Sequence, residues 1–217
     1  MHMFNFIKKK EEKKVEKKVN KPIAPILIYT EQTPNPDTLK FVTSRILYDG
    51  MADFGDRKIA EEWSPFAAEL YKFDYVKKLI INKNFVSIDK DNEANWREVM
   101  FEVKDFIKKW LEEEKPIVKE GYKDMLEAEW QAKKDSGEIN DIEEKIIEII
   151  DLHVKPWIEQ DGGGIEYMGF NEGVVTVRLY GACSTCSSAS VTLKAGVEQI
   201  LTSMIPDVKE VAQDLGY

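Results

Sequence analysis

Cysteine and histidine are scarce in this sequence, and long apolar runs are absent. The 217 residues contain two cysteines and two histidines, so few side chains offer a soft donor for a metal. No stretch of eighteen apolar residues occurs that could form a transmembrane helix. The formal net charge is -9 at pH 7, which disfavours a polyanion as partner. These absences predict that neither a membrane nor nucleic acid is a partner.

Residues 1–22 form a basic segment in an otherwise acidic chain. Eight lysines and three glutamates lie between Lys8 and Lys21, a composition typical of a flexible, solvated tail. A secretory signal contains an apolar core, and organelle presequences avoid acidic residues and favour arginine and serine. Because this segment fits neither pattern, we expect a cytoplasmic protein in a reducing compartment.

The remaining chain divides into two segments of α+β character. In residues 23–112 the patterns predict a strand, a turn and a second strand, which residues 46–48 continue or extend up to Gly50. A short helix around Phe66, a hairpin and a long helix with one apolar face from Trp96 to Leu111 follow. Charged side chains dominate residues 113–138, which we interpret as a partly helical linker. Residues 139–217 predict a helix interrupted or kinked near Pro156, two strands, a helix and a strand. The second of these strands has Val175, Val177 and Leu179 alternating onto one face. The sequence therefore predicts the α+β class, with two small domains joined by a charged linker.

Both cysteines lie in one short stretch of the second domain. Cys183 and Cys186 stand between a predicted strand that ends at Tyr180 and a predicted helix that Ser187 can cap. A helix N-terminus carries a partial positive charge, so we expect it to favour thiolate over thiol. Thiolate is the form that binds metals and attacks disulfides. This C-x-x-C pair is therefore the candidate site for cofactor or metal binding.

Two thiolates are half of a tetrahedral thiolate site. An iron-sulfur cluster is usually held by four cysteines, and a structural zinc ion by four cysteine or histidine ligands. One chain cannot complete a four-cysteine site. The pair could be completed by a second copy of the chain, by a partner or small thiol, or it could work as a redox dithiol. The residues alone leave these alternatives open.

No other pattern in the sequence predicts chemistry. A thioredoxin-like enzyme would need further strands after the C-x-x-C helix, and only residues 206–217 follow it. The run Gly162-Gly163-Gly164 lacks a phosphate-binding motif and predicts a tight turn. His153 has no second candidate ligand at helical spacing and is interpreted as an ordinary, partly buried histidine. We expect no catalytic site, and therefore a protein that is not an enzyme.

The sequence around the cysteines resembles the C-terminal domain of NifU-like (Nfu) proteins. The resemblance is carried by Gly181-Ala182-Cys183-Ser184-Thr185-Cys186 after a valine-rich strand, with Asp161-Gly162-Gly163 upstream, and it covers residues 139–213. In the first domain, Thr30-Glu31-Gln32-Thr33-Pro34-Asn35-Pro36 followed by Leu39-Lys40-Phe41 is similar to the Nfu N-terminal domain. The two signatures in this order make the resemblance specific.

The resemblance implies an iron-sulfur cluster scaffold or carrier. Cys183 and Cys186 of two subunits would jointly hold one [4Fe-4S] cluster, so that the chain forms a homodimer through the cluster and passes it to apo iron-sulfur client proteins. The first domain would recognise these clients or an upstream cluster assembly scaffold. The alternatives are a dimeric binding module stapled by zinc through the same cysteines and, third, a dithiol redox protein.

The sequence departs from the family pattern near the cysteines. Ser187 stands where family members usually have proline, and Thr185 where a glycine is frequent. These changes predict a less rigid cysteine loop. Gly164 and Lys155 stand where the family often has aspartate and arginine. None of the four changes removes a candidate ligand.

Overall fold

The computed structural model describes residues 24–183 and 187–214, and of residues 187–191 it describes the backbone alone. The first part of the chain contains β1 (Ile28–Gln32), β2 (Thr38–Thr43), β3 (Met51–Asp53), α1 (Arg57–Trp63), α2 (Pro65–Leu70), β4 (Val76–Asn82), β5 (Phe85–Lys90) and α3 (Trp96–Glu112). Helix α4 (Tyr122–Asp135) follows. The last part contains α5 (Asp141–Ile149), a π-helical turn (Ile150–Val154), α6 (Lys155–Gln160), β6 (Gly163–Asn171), β7 (Val174–Gly181), α7 (Ser187–Met204) and β8 (Glu210–Gln213). The predicted α+β class is confirmed.

The first unit is a five-stranded antiparallel sheet in the order β1-β2-β5-β4-β3. The predicted hairpin is present as β4 and β5. Strand β3 was not predicted, because three residues are too short to show an alternating pattern. The expected extension of the second strand through Ile46 is wrong. The backbone N–H groups of Leu47 and Tyr48 instead donate to the carbonyl of Lys83 in the hairpin turn.

The short helix predicted around Phe66 is two helices. The hydroxyl of Ser64 accepts a hydrogen bond from the Ala67 backbone N–H at 3.0 Å and so caps α2. Pro65 occupies the first position of α2, where its missing N–H costs no hydrogen bond. The local sequence therefore starts a new helix directly after α1.

Helix α3 covers the first sheet with the apolar face that its periodicity predicts. Val103 and Ile107 are fully buried on that face. The same core includes Ile117 and Tyr122, which belong to the segment interpreted as a linker. The segment is thus attached to the first unit at its start, and it continues as a helix of 14 residues.

The second unit is a three-stranded sheet in the order β6-β7-β8, with β8 parallel to β7. Val175, Val177 and Leu179 alternate onto the buried face of β7, as predicted. The break expected near Pro156 is the π-helical turn. Proline removes a backbone donor, and its ring clashes with the carbonyl four residues earlier, which explains the local unwinding before α6.

Candidate functional site

Cys183 lies in the turn that leaves β7. Its side chain is half-buried and packs against the core of the second unit. Its backbone N–H donates to the carbonyl of Tyr180 at 3.4 Å. Cys186, the second predicted ligand, lies outside the described residues, as do Ser184 and Thr185. The described site is therefore Cys183 and the walls around it.

Three glycines allow the turn at residues 182–183, called the cysteine turn below, to lie against the start of β6. A Cβ on Gly163 would lie 2.5 Å from Cys183 Sγ, so a larger residue would displace the thiol. Gly162 has φ +82° and Gly181 has φ +64°, backbone angles that favour glycine. The chain turns at Asp161 and Gly162, whereas Gly163 and Gly164, which were expected in the same turn, are the first residues of β6. The missing side chain of Gly163 makes room for the cysteine.

Gly164, which departs from the family pattern, lies beneath the ring of Tyr180. A Cβ at this position would come within 2.2 Å of two ring carbons. The Tyr180 ring also lies under Lys78 of the first unit, whose Nζ is 3.9 Å from the ring centroid. A large aromatic side chain thus fills the space beside the glycine. Sequence reasoning missed Tyr180 because these two partners come from separate strands, β6 and β4.

The environment of Cys183 favours the thiol. Burial raises the pKa of Cys183 to about 11, and the negative charge of Asp161 adds to the shift. This outcome differs from the expectation that a helix N-terminus would favour thiolate. The reason is position: Cys183 stands in the turn after β7, whereas α7 begins at Ser187, and the helix dipole acts over about one turn. Binding a metal at Cys183 must therefore displace a proton.

The first unit contributes directly to the walls of the site. The side-chain amide of Asn35 donates to the carbonyl of Gly181 at 3.2 Å. Lys40 Nζ donates to the carbonyl of Gln160 at 2.9 Å. Ser87 Oγ lies 2.3 Å from where a Cβ on Gly162 would stand. Sequence reasoning placed these residues in a separate domain, and the sole available signal was the family signature that contains Asn35.

The remaining candidate features do not indicate a second functional site among the described residues. His153 is exposed rather than partly buried, and its carbonyl accepts a hydrogen bond from Trp157 Nε1 at 2.8 Å. Among residues 24–183 and 187–214, no three His, Cys, Asp or Glu side chains are grouped so that they could hold a metal ion. Within the same ranges, no helix is long and apolar enough to cross a membrane.

Both halves of the chain match known family models. Residues 28–114 match the scaffold protein Nfu/NifU N-terminal domain, and residues 146–212 match the NifU-like domain. These matches occur in the order that the two sequence signatures indicated.

Full-length comparisons find similar proteins in plants, animals and fungi. The chain is 32% identical to NifU-like protein 4, mitochondrial, of Arabidopsis thaliana over 87% of its own length and 66% of that protein. It is 30% identical to the NFU1 iron-sulfur cluster scaffold homolog, mitochondrial, of Homo sapiens over 88% and 73% of the two chains. A NifU-like protein of Schizosaccharomyces pombe is 34% identical over 89% and 74%. The chain thus spans about two thirds to three quarters of the length of these relatives.

The expected cytoplasmic location is wrong on this comparison. The Arabidopsis and human relatives are both named mitochondrial, which points to mitochondria rather than the cytoplasm. The expectation had used the composition of residues 1–22, a segment that lies outside the described residues. Charge composition of a short segment is a weak signal of compartment.

Proposed function

Because this chain belongs to the Nfu family of iron-sulfur cluster scaffold proteins, we propose that it binds an iron-sulfur cluster through Cys183 and Cys186 and passes it to apo-proteins in mitochondria. The observation that carries the proposal is that both cysteines of the chain fall in the connection between β7 and α7, within the segment that matches the NifU-like domain. The family is one of scaffolds and not a known class of enzymes.

The ligand count favours a [4Fe-4S] cluster shared between two subunits. Each chain supplies two thiols, and a cluster of this kind usually needs four cysteine ligands. No described group of His, Cys, Asp or Glu offers Cys183 further ligands from the same chain. A homodimer in which two cysteine turns face each other would complete the site. Such a cluster is the cargo that the protein receives from an upstream scaffold and delivers to a client.

The chemistry of Cys183 suits a ligand that can be released. Its raised pKa means that the free side chain regains a proton at neutral pH. An incoming client thiolate can therefore replace Cys183 on an iron atom, and the departing sulfur takes up a proton. Delivery by stepwise ligand exchange then needs no oxidation or reduction.

The proposal is tested by anaerobic reconstitution of the full chain with iron and sulfide. We expect a brown dimer with about two irons and two sulfides per chain, a [4Fe-4S] signature in Mössbauer or resonance Raman spectra, and activation of an apo-protein that requires such a cluster. Cys183→Ser and Cys186→Ser should each abolish cluster retention. His153→Ala is the matched control, since His153 is the one histidine among the described residues, and its variant should retain the cluster.

Two outcomes contradict the proposal in different ways. A colourless dimer that holds one zinc ion without exchanging it would show that the cysteines form a structural zinc site between two subunits. A colourless monomer that forms an internal disulfide and reduces small disulfides would assign them to redox chemistry.

A further inference from the structure

The turn formed by residues 33–37 is fixed by its own hydrogen bonds. Asn35 Oδ1 accepts from the backbone N–H of Asp37 at 3.0 Å, which is an Asx turn. Pro34 and Pro36 restrict the backbone on both sides of Asn35. The carboxamide of Asn35 is therefore held in one orientation before it meets any other part of the molecule.

This turn, called the Asn35 turn below, is also tied to the centre of the first sheet. Asp37 forms an ion pair with Lys90 at 2.7 Å, and the Lys90 side chain is 7% exposed. Thr38 Oγ1, directly after the turn, donates to Asp89 Oδ1 at 2.6 Å. Because both partners lie on β5, the Asn35 turn moves with the first unit as one body.

The Asn35 turn meets the second unit at the base of the cysteine turn. Asn35 is 3% exposed, and its Nδ2 donates to the carbonyl of Gly181, a residue 146 positions away. A Cβ on Gly181 would lie 2.8 Å from the Gly162 carbonyl oxygen and 3.1 Å from Ile80 Cδ1. Because Gly181 has no side chain, Asn35 and Ile80 of the first unit contact the backbone two residues before Cys183.

One contact between the two units, that of Ser87 with Gly162, opposes their docking. Ser87 Oγ is buried at the Gly162 contact and has no hydrogen-bond partner within the part of the chain that the structure describes. A buried hydroxyl that loses its water without gaining a partner is destabilising. The docked arrangement therefore combines a specific hydrogen bond at Gly181 with an unfavourable burial at Gly162.

From these contacts we propose that Asn35 is a positioning residue for the cysteine turn: by docking the first unit on Gly181, it sets how often the turn around Cys183 opens. The part that concerns cluster retention rests on the function proposed above, whereas the part that concerns the free thiol does not. Since coupling between two events is reciprocal, a change in the ligation of Cys183 also changes how firmly the two units dock.

The test measures the alkylation rate of Cys183 by iodoacetamide in the full, metal-free chain that carries Cys186→Ser. Asn35→Ser retains a neutral side chain that can form the local turn but is too short to reach Gly181. We expect alkylation to be about five-fold faster, which corresponds to about 1 kcal/mol for one lost hydrogen bond. Asn84→Ser is the matched control, because Asn84 Nδ2 also donates to a carbonyl at 3.2 Å, that of Thr43 within the first unit.

A second variant changes the rate in the opposite direction. Ser87→Ala removes the unpartnered hydroxyl, so the units should dock more firmly and Cys183 should react more slowly than in the parent. Equal rates in Asn35→Ser and the parent would overturn the proposal, as would an equal acceleration in Asn84→Ser, which would indicate a general loss of stability.

The cluster-loaded chain provides the second readout. In the chain that retains Cys186, Asn35→Ser should lose the visible absorbance of its cluster to a chelator several-fold faster than the unsubstituted chain, and Asn84→Ser should not. If the unsubstituted chain holds no cluster, the proposed function fails while the alkylation rates still decide the role of Asn35. If alkylation changes and cluster loss does not, the positioning of the ligand by Asn35 is refuted.

Discussion

At the scale of single residues, the site depends on glycines, which have no side chain, as much as on the cysteine. Gly163 leaves space for the Cys183 sulfur, and Gly164 leaves space for the ring of Tyr180. Gly164 and Tyr180 face each other in the β6–β7 register, so the aromatic ring across the strand pair fills the space that the glycine leaves.

Asp89, the carboxylate beneath the Asn35 turn, should make folding depend on pH. Burial raises its pKa to about 6 from an ordinary 3.8, although the hydrogen bond from Thr38 opposes the shift. Because the folded chain binds this proton more tightly than the unfolded chain, the stabilising contribution is complete below pH 4 and is lost as the pH rises to about 6. Asp89→Asn keeps the acceptor for Thr38 and carries no charge.

The expected result is that Asp89→Asn gains free energy of unfolding relative to the parent between pH 4 and pH 7, by on the order of 2 kcal/mol. Urea unfolding at several pH values measures it. Asp207→Asn is the control, since Asp207 is exposed and its variant should track the parent. A constant difference between Asp89→Asn and the parent across this range would show that Asp89 does not titrate in this way.

At the scale of elements, local sequence determines where α5, the first helix of the second unit, begins. The side chain of Asn140 accepts from the backbone N–H groups of Ile142 and Glu143, and the Glu143 side chain accepts from the Asn140 N–H. This capping box fixes where α5 begins. Glu143 also accepts a hydrogen bond from the Tyr167 hydroxyl at 2.7 Å, which connects the start of the helix to β6.

Replacement of this cap should destabilise the second unit. Asn140→Ala leaves the first N–H groups of α5 without their acceptor, so we expect a loss of about 1 kcal/mol in the free energy of unfolding. Chemical denaturation followed by circular dichroism measures the loss. Lys145→Ala, an exposed position on the same helix, should change stability by less than about 0.5 kcal/mol; a similar effect in both variants would mean that the cap is not the cause.

At the scale of the whole molecule, the two units form one body around the cysteine turn. Besides Asn35, two lysines of the first unit contact the second. Lys40 donates a hydrogen bond to the carbonyl of Gln160, and Lys78 lies over the ring of Tyr180. An open cavity of about 1050 Å³ lies between the units, lined by residues that include Asp53, Lys78 and Tyr180. The units thus contact each other at the cysteine end and leave this cavity beside Tyr180.

If two chains share one cluster, removal of that cluster should dissociate them. We expect the reconstituted protein to elute as a dimer and to return to a monomer when an iron chelator bleaches it. Size-exclusion chromatography with light scattering under anaerobic conditions measures both states. The control is the Cys183→Ser chain, which should remain monomeric throughout. A dimer that persists after bleaching would show that protein contacts, and not the cluster, hold the subunits together.

The sequence by itself determined the elements whose signal is local. The apolar face of α3, the hairpin of β4 and β5, and the alternation of Val175, Val177 and Leu179 were all predicted, because each depends on side-chain spacing within one element. The position of Cys183 between a strand and a helix was predicted for the same reason. Strand β3 and the boundary between α1 and α2 were not, since three residues or one cap give too little periodicity.

The tertiary structure decided what surrounds the cysteine. The thiol of Cys183 is favoured over the thiolate because burial and Asp161 outweigh the distant helix N-terminus. The docking of Asn35 on Gly181 joins residues 146 positions apart, and no local pattern encodes such a contact. Spacing along the chain specifies helices and strands, whereas burial and contact between units depend on how these elements pack together.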